Sequence, residues 1–524
     1  MSQVIGTPLL GLLQQAIGAH RQGQLDTAAA LYQQILAAEP THFDATHMLG
    51  MVHLARGRNE LAAELILKAA QLNKKDSAVH NNLCMVLRNL GRHAEALAAG
   101  TKAISLQVDN GGAHYNRALA LLDMRRYDQA LAGFRKAISL APGLVEAHTN
   151  LGVTLEALER FDEAHEAFAK AAALQPGSAD ARHNLGCVLL RMKRRSEARV
   201  AFEEAIARQP SHAEAHVALS ECLLLAGEYQ RGWREYEWRW RTTMIAPLVR
   251  NYPQPAWQGG QDVAGKTVLI YAEQGLGDCL QFARYVKYVR ARGAQVILEV
   301  PPSLKNLMRT LDGADHVLAK GEPLPAFDLH CALMSLPAAL DIGGDFANAP
   351  YLGAPPAAVA KWRGRLPPAD GLRCGVAWSG AAMTRGTGVY RSIPLDTFKR
   401  IADSGATLVG LQRDIRESDR AALESFPALH NLGSDFEDLA DTAAVIAGLD
   451  LVITVDTAVA HLAGAMGKPV WILLAYLPDW RWEFHPDSAT PWYAAARLFR
   501  QPKLHDWDAV MDHVIAELRV AKPA

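Results

Sequence analysis

At 524 residues the chain is too long for a single hydrophobic core and is expected to hold two to four domains. Half of its residues are hydrophobic and 21% are charged, an ordinary composition for a water-soluble globular protein. A net charge of −1 gives no electrostatic reason to expect nucleic acid or an anionic membrane as partner. No apolar run approaches the roughly 18 residues of a membrane span, and the N-terminus lacks a charged segment followed by a cleavage site. Six cysteines are scattered without a C-x-x-C pair, which points to neither zinc nor a disulfide framework. The expectation is a reduced, cytoplasmic protein.

The first half repeats itself. Ala28, Ala62, Ala96, Ala130, Ala164 and Ala198 recur every 34 residues, and Gly232 continues the series. Phe134, Phe168 and Phe202 keep step, as do Pro142, Pro176 and Pro210. In the unit from Val145 to Ser178, Leu151, Leu155 and Leu158 form one helical stripe, and Ala164, Phe168 and Ala171 form a second. Alanine lets the two helices approach closely, phenylalanine fills the groove between units, and proline ends the second helix. Such a unit cannot bury its apolar face alone and must stack. Small, aromatic and proline positions in fixed phase at this period are the signature of the tetratricopeptide (TPR) repeat. An all-α TPR solenoid of about seven repeats is therefore expected over residues 1–243. Asn82, Asn116, Asn150 and Asn184 share the period, yet packing does not require an amide. Either they cap local turns or they line the groove and hold an extended peptide, whose backbone an amide can both donate to and accept from.

The segment Gly232–Trp240 (GWREYEWRW) reads as the second helix of the last repeat, a cap docking the solenoid onto the next domain. Residues 244–262, with the proline-rich Asn251–Trp257 at their centre, read as a linker. After Gly265 the pattern becomes α/β. A strand at Val268–Tyr271, a glycine turn, an amphipathic helix and a second strand form one unit of a parallel sheet, with a weaker strand at Ala314–Leu318. A second half begins at Arg373–Trp378, with strands at Thr407–Leu411, Leu451–Val455 and Val470–Leu474. The halves are placed at 263–360 and 361–524, with a Pro- and Ala-rich hinge at Leu352–Leu366. Ligands of such sheets bind at the carboxyl ends of the strands.

Three segments there carry chemistry. Glu273-Gln274-Gly275-Leu276-Gly277-Asp278 follows a strand and opens a helix, where Asp278 either acts as a general base or caps the helix. Asp456 and Thr457 stand at another helix start, whose amides and dipole favour an anion such as a diphosphate, with His461 about one turn on. The bland reading of His461 is a packed or capping side chain. Trp378-Ser379-Gly380 forms a turn that can wrap a phosphate, and Arg391 offers a fixed bidentate charge. Lys468 and the aromatic Leu477–Trp482 either reach a base or serve packing. No H-E-x-x-H, acidic cluster or G-x-S-x-G is present, so no metal ligation and no nucleophilic serine are indicated.

These residues resemble a known family. GLGD at 275–278, RSIPL at 391–395 and DTAVAHLAGAMGKPVW at 456–471 are similar to the bacterial heptosyltransferases, the glycosyltransferase family 9 superfamily of GT-B enzymes. With PDWRW and RLFRQ near the end, the chain resembles fusions of a TPR array to such a domain, some of which are flagellin glycosyltransferases using nonulosonic acids. The resemblance implies two Rossmann-like halves, the N-terminal one on the acceptor side and the C-terminal one on the nucleotide-sugar side. It makes Asp278 the acceptor-activating aspartate, 456–461 the donor diphosphate segment and Arg391 its basic partner. The family's donor-binding lysine has no counterpart near Trp378, so Arg391 or Arg385 takes its place. The asparagine series resembles the ladder by which eukaryotic O-linked N-acetylglucosamine transferase holds peptides.

The reading is an inverting, metal-independent protein O-glycosyltransferase, with Ser379, Gly380, Arg391, Asp456, Thr457 and His461 on the donor. Asn82, Asn116, Asn150 and Asn184 hold the acceptor protein, for which flagellin is the instance the resemblance offers. The nucleotide sugar is a substrate, and no cofactor is called for. The alternatives are an envelope-saccharide transferase and a non-catalytic TPR adaptor.

Overall fold

The computed structural model describes residues 6–344, 346, 350–380, 390–483 and 489–521; Arg385 falls outside them. The chain divides into two compact units, Met1–His212 and Ala213–Ala524.

The first unit is six antiparallel helix pairs, from Gly6–Arg21 with Leu25–Ala38 to Ala179–Arg191 with Arg195–Arg208. A seventh pair, Ala213–Leu225 with Tyr229–Tyr236, belongs to the second unit. Seven pairs agree with the repeat count, but the unit boundary lies at 212 rather than 243. The periodic alanines from Ala28 to Ala198 are all 0% exposed, so the second helix of each pair sits against its neighbours without a side chain between. Phe168 and Phe202 do not lie only between units. A Cβ at Gly152 would come within 2.6 Å of Phe168, and one at Gly186 within 2.4 Å of Phe202, so each ring packs on the glycine of its own pair. Pro142, Pro176 and Pro210 each follow the C-cap residue of a second helix.

Two further periodic series were not apparent from the residue types. Residues 23, 57, 91, 125, 159, 193 and 227 turn each pair with positive φ, and three of them, Arg125, Glu159 and Lys193, are not glycine. The first helices are N-capped at the same interval by His42, Asp76, Asn110 and Ser178, each accepting from the amide three residues on. Leu144 interrupts that series and makes no side-chain cap.

The second unit holds two parallel sheets. In the first, β1 (Thr267–Tyr271), β2 (Gln295–Val300), β3 (His316–Ala319) and β4 (Leu329–Ala332) lie in the order β3-β2-β1-β4. In the second, β5 (Arg373–Ala377), β6 (Thr407–Gly410), β7 (Leu429–Asn431), β8 (Leu451–Val455), β9 (Val470–Leu474) and β10 (Ala496–Arg500) lie in the order β10-β9-β8-β5-β6-β7. The strands β4, β7 and β10 are additions to the sequence reading. Both sheets are Rossmann-like, and both reverse strand order beside their first strand, at β1 in one and between β5 and β8 in the other.

One core runs from Trp233 of the seventh helix pair through the first sheet to a face of the second. The opposite face of the second sheet is covered by the helix Trp507–Val520. Two expected connectors prove to be packed. Within the expected linker, Trp257 is 1% exposed and its amide donates to the His330 carbonyl of β4 at 2.7 Å. The expected hinge contains the helix Pro356–Trp362, whose Trp362 indole donates to Asp441 at 2.7 Å. A tryptophan at the end of each segment supplies enough apolar area to dock what its prolines suggested was loose.

Candidate active site

The carboxyl ends of β1, β5 and β8 carry the three chemistry-bearing segments, and each ends at a point where strand order reverses. After β1 the chain turns through Glu273–Gly275 into the helix Leu276–Phe282. After β8 it turns through Asp456 into the helix Ala458–Ala465, with Thr457 as N-cap accepting from the Val459 amide at 3.2 Å. These two helix starts meet. A Cβ on Gly277 would lie 2.8 Å from the His461 ring, so only glycine allows the approach.

Asp278 caps its helix start, as one of the two readings expected, and is also held by a distant charge. Its Oδ2 accepts the Gly275 amide at 3.0 Å and closes the helix start. Its Oδ1 receives Arg481 at 2.6 Å, across 203 residues of chain. Arg481 also pairs with Asp479 at 3.0 Å, and its side chain is 11% exposed. It was missed because the PDWRW segment draws attention to its tryptophans, and these are core: Trp480 and Trp482 are 7% and 1% exposed. The signal that pointed to Arg481 was a charge set between two buried aromatics.

Charge is dense around it. Burial, with Asp479 beside it, pushes the Asp456 carboxyl up to about 6. Burial, with Arg481, Arg284 and Arg391 nearby, pushes His461 well below the usual imidazole range and leaves it neutral. His461 Nδ1 lies 2.9 Å from the Tyr493 hydroxyl. The third segment joins through Arg391, whose guanidinium lies against Gly380: a Cβ there would meet its Nε at 2.6 Å. Arg391 acts on both Asp456 and His461. The Ser379 and Gly380 amides are engaged by Gln412 and Ser392, each at 3.2 Å. Among the described residues the Ser379 hydroxyl, 3% exposed in its residue, has no hydrogen-bond partner. Lys468 stands apart, because its ammonium donates to the Ala447 and Leu449 carbonyls at 2.7 and 3.1 Å, at the end of the helix Leu439–Ala447.

The seventh helix pair and the 3-10 turn Glu237–Arg241 that follows it reach this site. Arg239, 2% exposed, donates to Glu237 at 2.5 Å, to Glu273 at 3.0 Å and to Ser335 at 2.7 Å. With one guanidinium facing two carboxylates, burial pushes Glu273 up to about 7. Trp233 packs edge-on against Phe282 and Trp480, with ring centres 5.8 and 5.9 Å apart.

Three of the four periodic asparagines are bonded along the array. Asn82 lies 2.9 Å from His47 Nε2, Asn116 donates to Asn81 at 2.9 Å, and Asn150 donates to the Tyr115 hydroxyl at 3.1 Å. Each partner lies 35 residues earlier, on the first helix of the preceding pair. Turn capping falls to the separate N-cap series. Asn184 holds the same place in the helix Ala179–Arg191 and is half-buried. Among the described residues no group of three or more His, Cys, Asp or Glu is placed to hold a metal, and no helix is long and apolar enough to cross a membrane.

Comparison with known proteins adds to this geometry. Residues 19–84, 115–179 and 183–236 match models of the tetratricopeptide repeat. Residues 436–501 match glycosyltransferase family 9 (heptosyltransferase), a span covering β8, the Asp456–His461 segment and Arg481 but not Asp278. Protein FlbA of Caulobacter vibrioides is 28% identical over 329 residues, 58% of this chain and 54% of FlbA. The chain thus spans about half the length of the curated relative it matches. A tetratricopeptide repeat protein of Parabacteroides merdae is 17% identical, covering 44% of this chain and 92% of its own, with a TM-score of 0.38. A thermophilic TPR protein of Thermus thermophilus is 23% identical, covering 35% and 99%, with a TM-score of 0.31. The chain carries tetratricopeptide repeats followed by a glycosyltransferase family 9 domain.

Proposed function

We propose that the chain is a cytoplasmic protein O-glycosyltransferase of GT-B type, moving a sugar from a nucleotide-sugar donor to Ser or Thr of a protein held by the TPR array. The observation that carries this reading is the meeting of Asp278 from the first sheet with Arg481, Asp456 and His461 from the second. A carboxylate, a basic pair and a helix N-terminus at one place are what displacement at an anomeric carbon requires. The acceptor hydroxyl oxygen attacks that carbon, its proton passes to Asp278, and the carbon–oxygen bond to phosphate breaks with the electron pair leaving on phosphate. The positive end of the Ala458–Ala465 helix, Arg391 and the Ser379 hydroxyl take the developing charge, with Asp456 and neutral His461 fixing the donor. One displacement inverts the anomeric centre, and nothing in this scheme calls for a metal.

The acceptor is assigned to the array because asparagine amides recur on the first helices of four successive pairs, and an amide can hold a backbone whatever the side chains of the bound peptide. Flagellin, modified with a nonulosonic acid, is the acceptor to try first. Mass spectrometry of the acceptor after incubation with UDP-, GDP-, ADP- and CMP-sugars tests the whole reading. Asp278→Ala is expected to lower transfer by roughly 10²–10⁴-fold, the usual contribution of a general base. The combined replacement of Asn82, Asn116, Asn150 and Asn184 by alanine is expected to lower transfer to protein but not to a short Ser-containing peptide. Full transfer by Asp278→Ala would remove the carboxylate from the mechanism. Equal loss on both acceptors would leave a transferase that uses its repeats for something else, as an envelope-saccharide enzyme would.

A further inference from the structure

The candidate base is already engaged. Both oxygens of Asp278 already accept a hydrogen bond, one from the Gly275 amide at 3.0 Å and one from Arg481 at 2.6 Å. The Gly275 bond belongs to the backbone of a helix start and is fixed with it. The Arg481 bond is the one that can open. The Arg481 backbone is held, since its carbonyl accepts the Trp492 indole at 2.9 Å and buried tryptophans stand on either side, so only the side chain can change partner. The guanidinium has several carboxylates to choose from. It touches Asp278 and Asp479 and lies within electrostatic reach of Asp456. Arg391 also acts on Asp456, with its guanidinium against Gly380.

We propose that Arg481 is a phosphate-operated latch on Asp278: the donor's phosphate draws the guanidinium away, and only the donor-loaded enzyme presents a free base. This rests on the assignment of Asp278 as base and of the Ala458–Ala465 helix start as phosphate site. Guanidinium binds carboxylate and phosphate oxygens by the same planar fork, so the exchange keeps its hydrogen bonds while moving a charge. While the guanidinium holds Oδ1 and the Gly275 amide holds Oδ2, both oxygens are engaged; once the guanidinium leaves, Oδ1 is open to the acceptor hydroxyl. Transfer then has a compulsory order, donor before acceptor. Arg481 is a positioning residue in this scheme, acting on the acceptor through Asp278.

Binding without turnover tests this. Isothermal calorimetry on the full chain would use pyrophosphate, UDP, GDP, ADP and CMP, continuing with whichever binds tightest. Asp278→Asn keeps the Gly275 bond through its carbonyl and drops the competing charge, so it is expected to tighten that probe by on the order of tenfold. Arg481→Lys, which keeps the charge and loses the fork, is expected to weaken it, and Arg481→Ala to weaken it further. The double variant Asp278→Asn, Arg481→Ala should bind no tighter than Arg481→Ala, because the gain passes through the arginine. Unchanged or weaker binding by Asp278→Asn overturns the latch. So does the same tightening in both backgrounds, which would be simple removal of a negative charge. Loss of transfer without tightening leaves the base assignment standing and removes only the latch, whereas failure of every probe to bind removes the phosphate site and the latch together. Thermal melts of each variant show that the chain stays folded.

Discussion

The two units hold polar side chains together in opposite ways. In the repeat array, Asn82, Asn116 and Asn150 each find a partner 35 residues back, one repeat away. In the transferase unit, Asp278 finds Arg481 at a separation of 203, and Arg239 reaches Glu273 across 34 residues and Ser335 across 96. The array adds small, equivalent, replaceable contacts. The transferase unit concentrates a few charges where burial makes each one expensive to disturb. A loss in the array is thus expected to stay near the value of one hydrogen bond, while a loss at the buried cluster should also depend on pH.

The largest effect on stability is expected at Glu273. Its carboxyl moves from the ordinary 4.5 to about 7 on folding. Below about pH 4.5 both folded and unfolded forms are protonated and the group contributes nothing. As pH rises toward 7 the unfolded chain ionises first, so the second unit loses stability, by up to about 3 kcal/mol at 1.36 kcal/mol per unit. Glu273→Gln should flatten this fall in the unit's calorimetric transition between pH 4.5 and 7. An unaltered slope would show that the carboxylate ionises there as easily as in the unfolded chain. Next comes Asn116→Ala, which removes a single inter-repeat bond and should cost about 1 kcal/mol in denaturant unfolding of the array, with no pH dependence. A loss several times larger would mean that the asparagines act as one network, and the contrast between units would blur. The smallest effect is a gain. Arg125 turns its helix pair at φ 57° and is exposed, so Arg125→Gly should stabilise by a few tenths to about 1 kcal/mol. A loss instead would show that the arginine side chain contributes more than its backbone strain removes.

What could be read from residues alone follows the same divide. A 34-residue period encodes contacts one period apart, so the helix pairs, the buried alanines and the proline stops were visible in the sequence. The turn series at 125, 159 and 193 was hidden because Arg, Glu and Lys say nothing of positive φ. In the second unit the strands β1, β5, β8 and β9 announce themselves as apolar runs, whereas β4, β7 and β10 are short or carry His, Asn and Arg among their residues. Asp278, Asp456 and His461 were visible because each opens or follows a helix start after a strand. Their convergence was not, since nothing local couples residue 278 to residue 481. The packing of the linker and the hinge was not legible, because proline content was weighed above the one buried tryptophan in each. The asparagines were placed on the right helices, but their bonds to the preceding pair depend on how neighbouring helices cross, which one repeat does not state.

The seventh helix pair stands on the transferase side of the division at residue 212, tied there by Trp233 and Arg239. Repeat number and the residues around Asp278 are thereby structurally separable. Whole 34-residue units can be duplicated or lost ahead of that pair, as tandem copies readily are, without touching the residues around Glu273 and Asp278. On the proposed reading, the span of acceptor held by the array is then a length adjustable in steps of one repeat, while the residues around Asp278 stay the same.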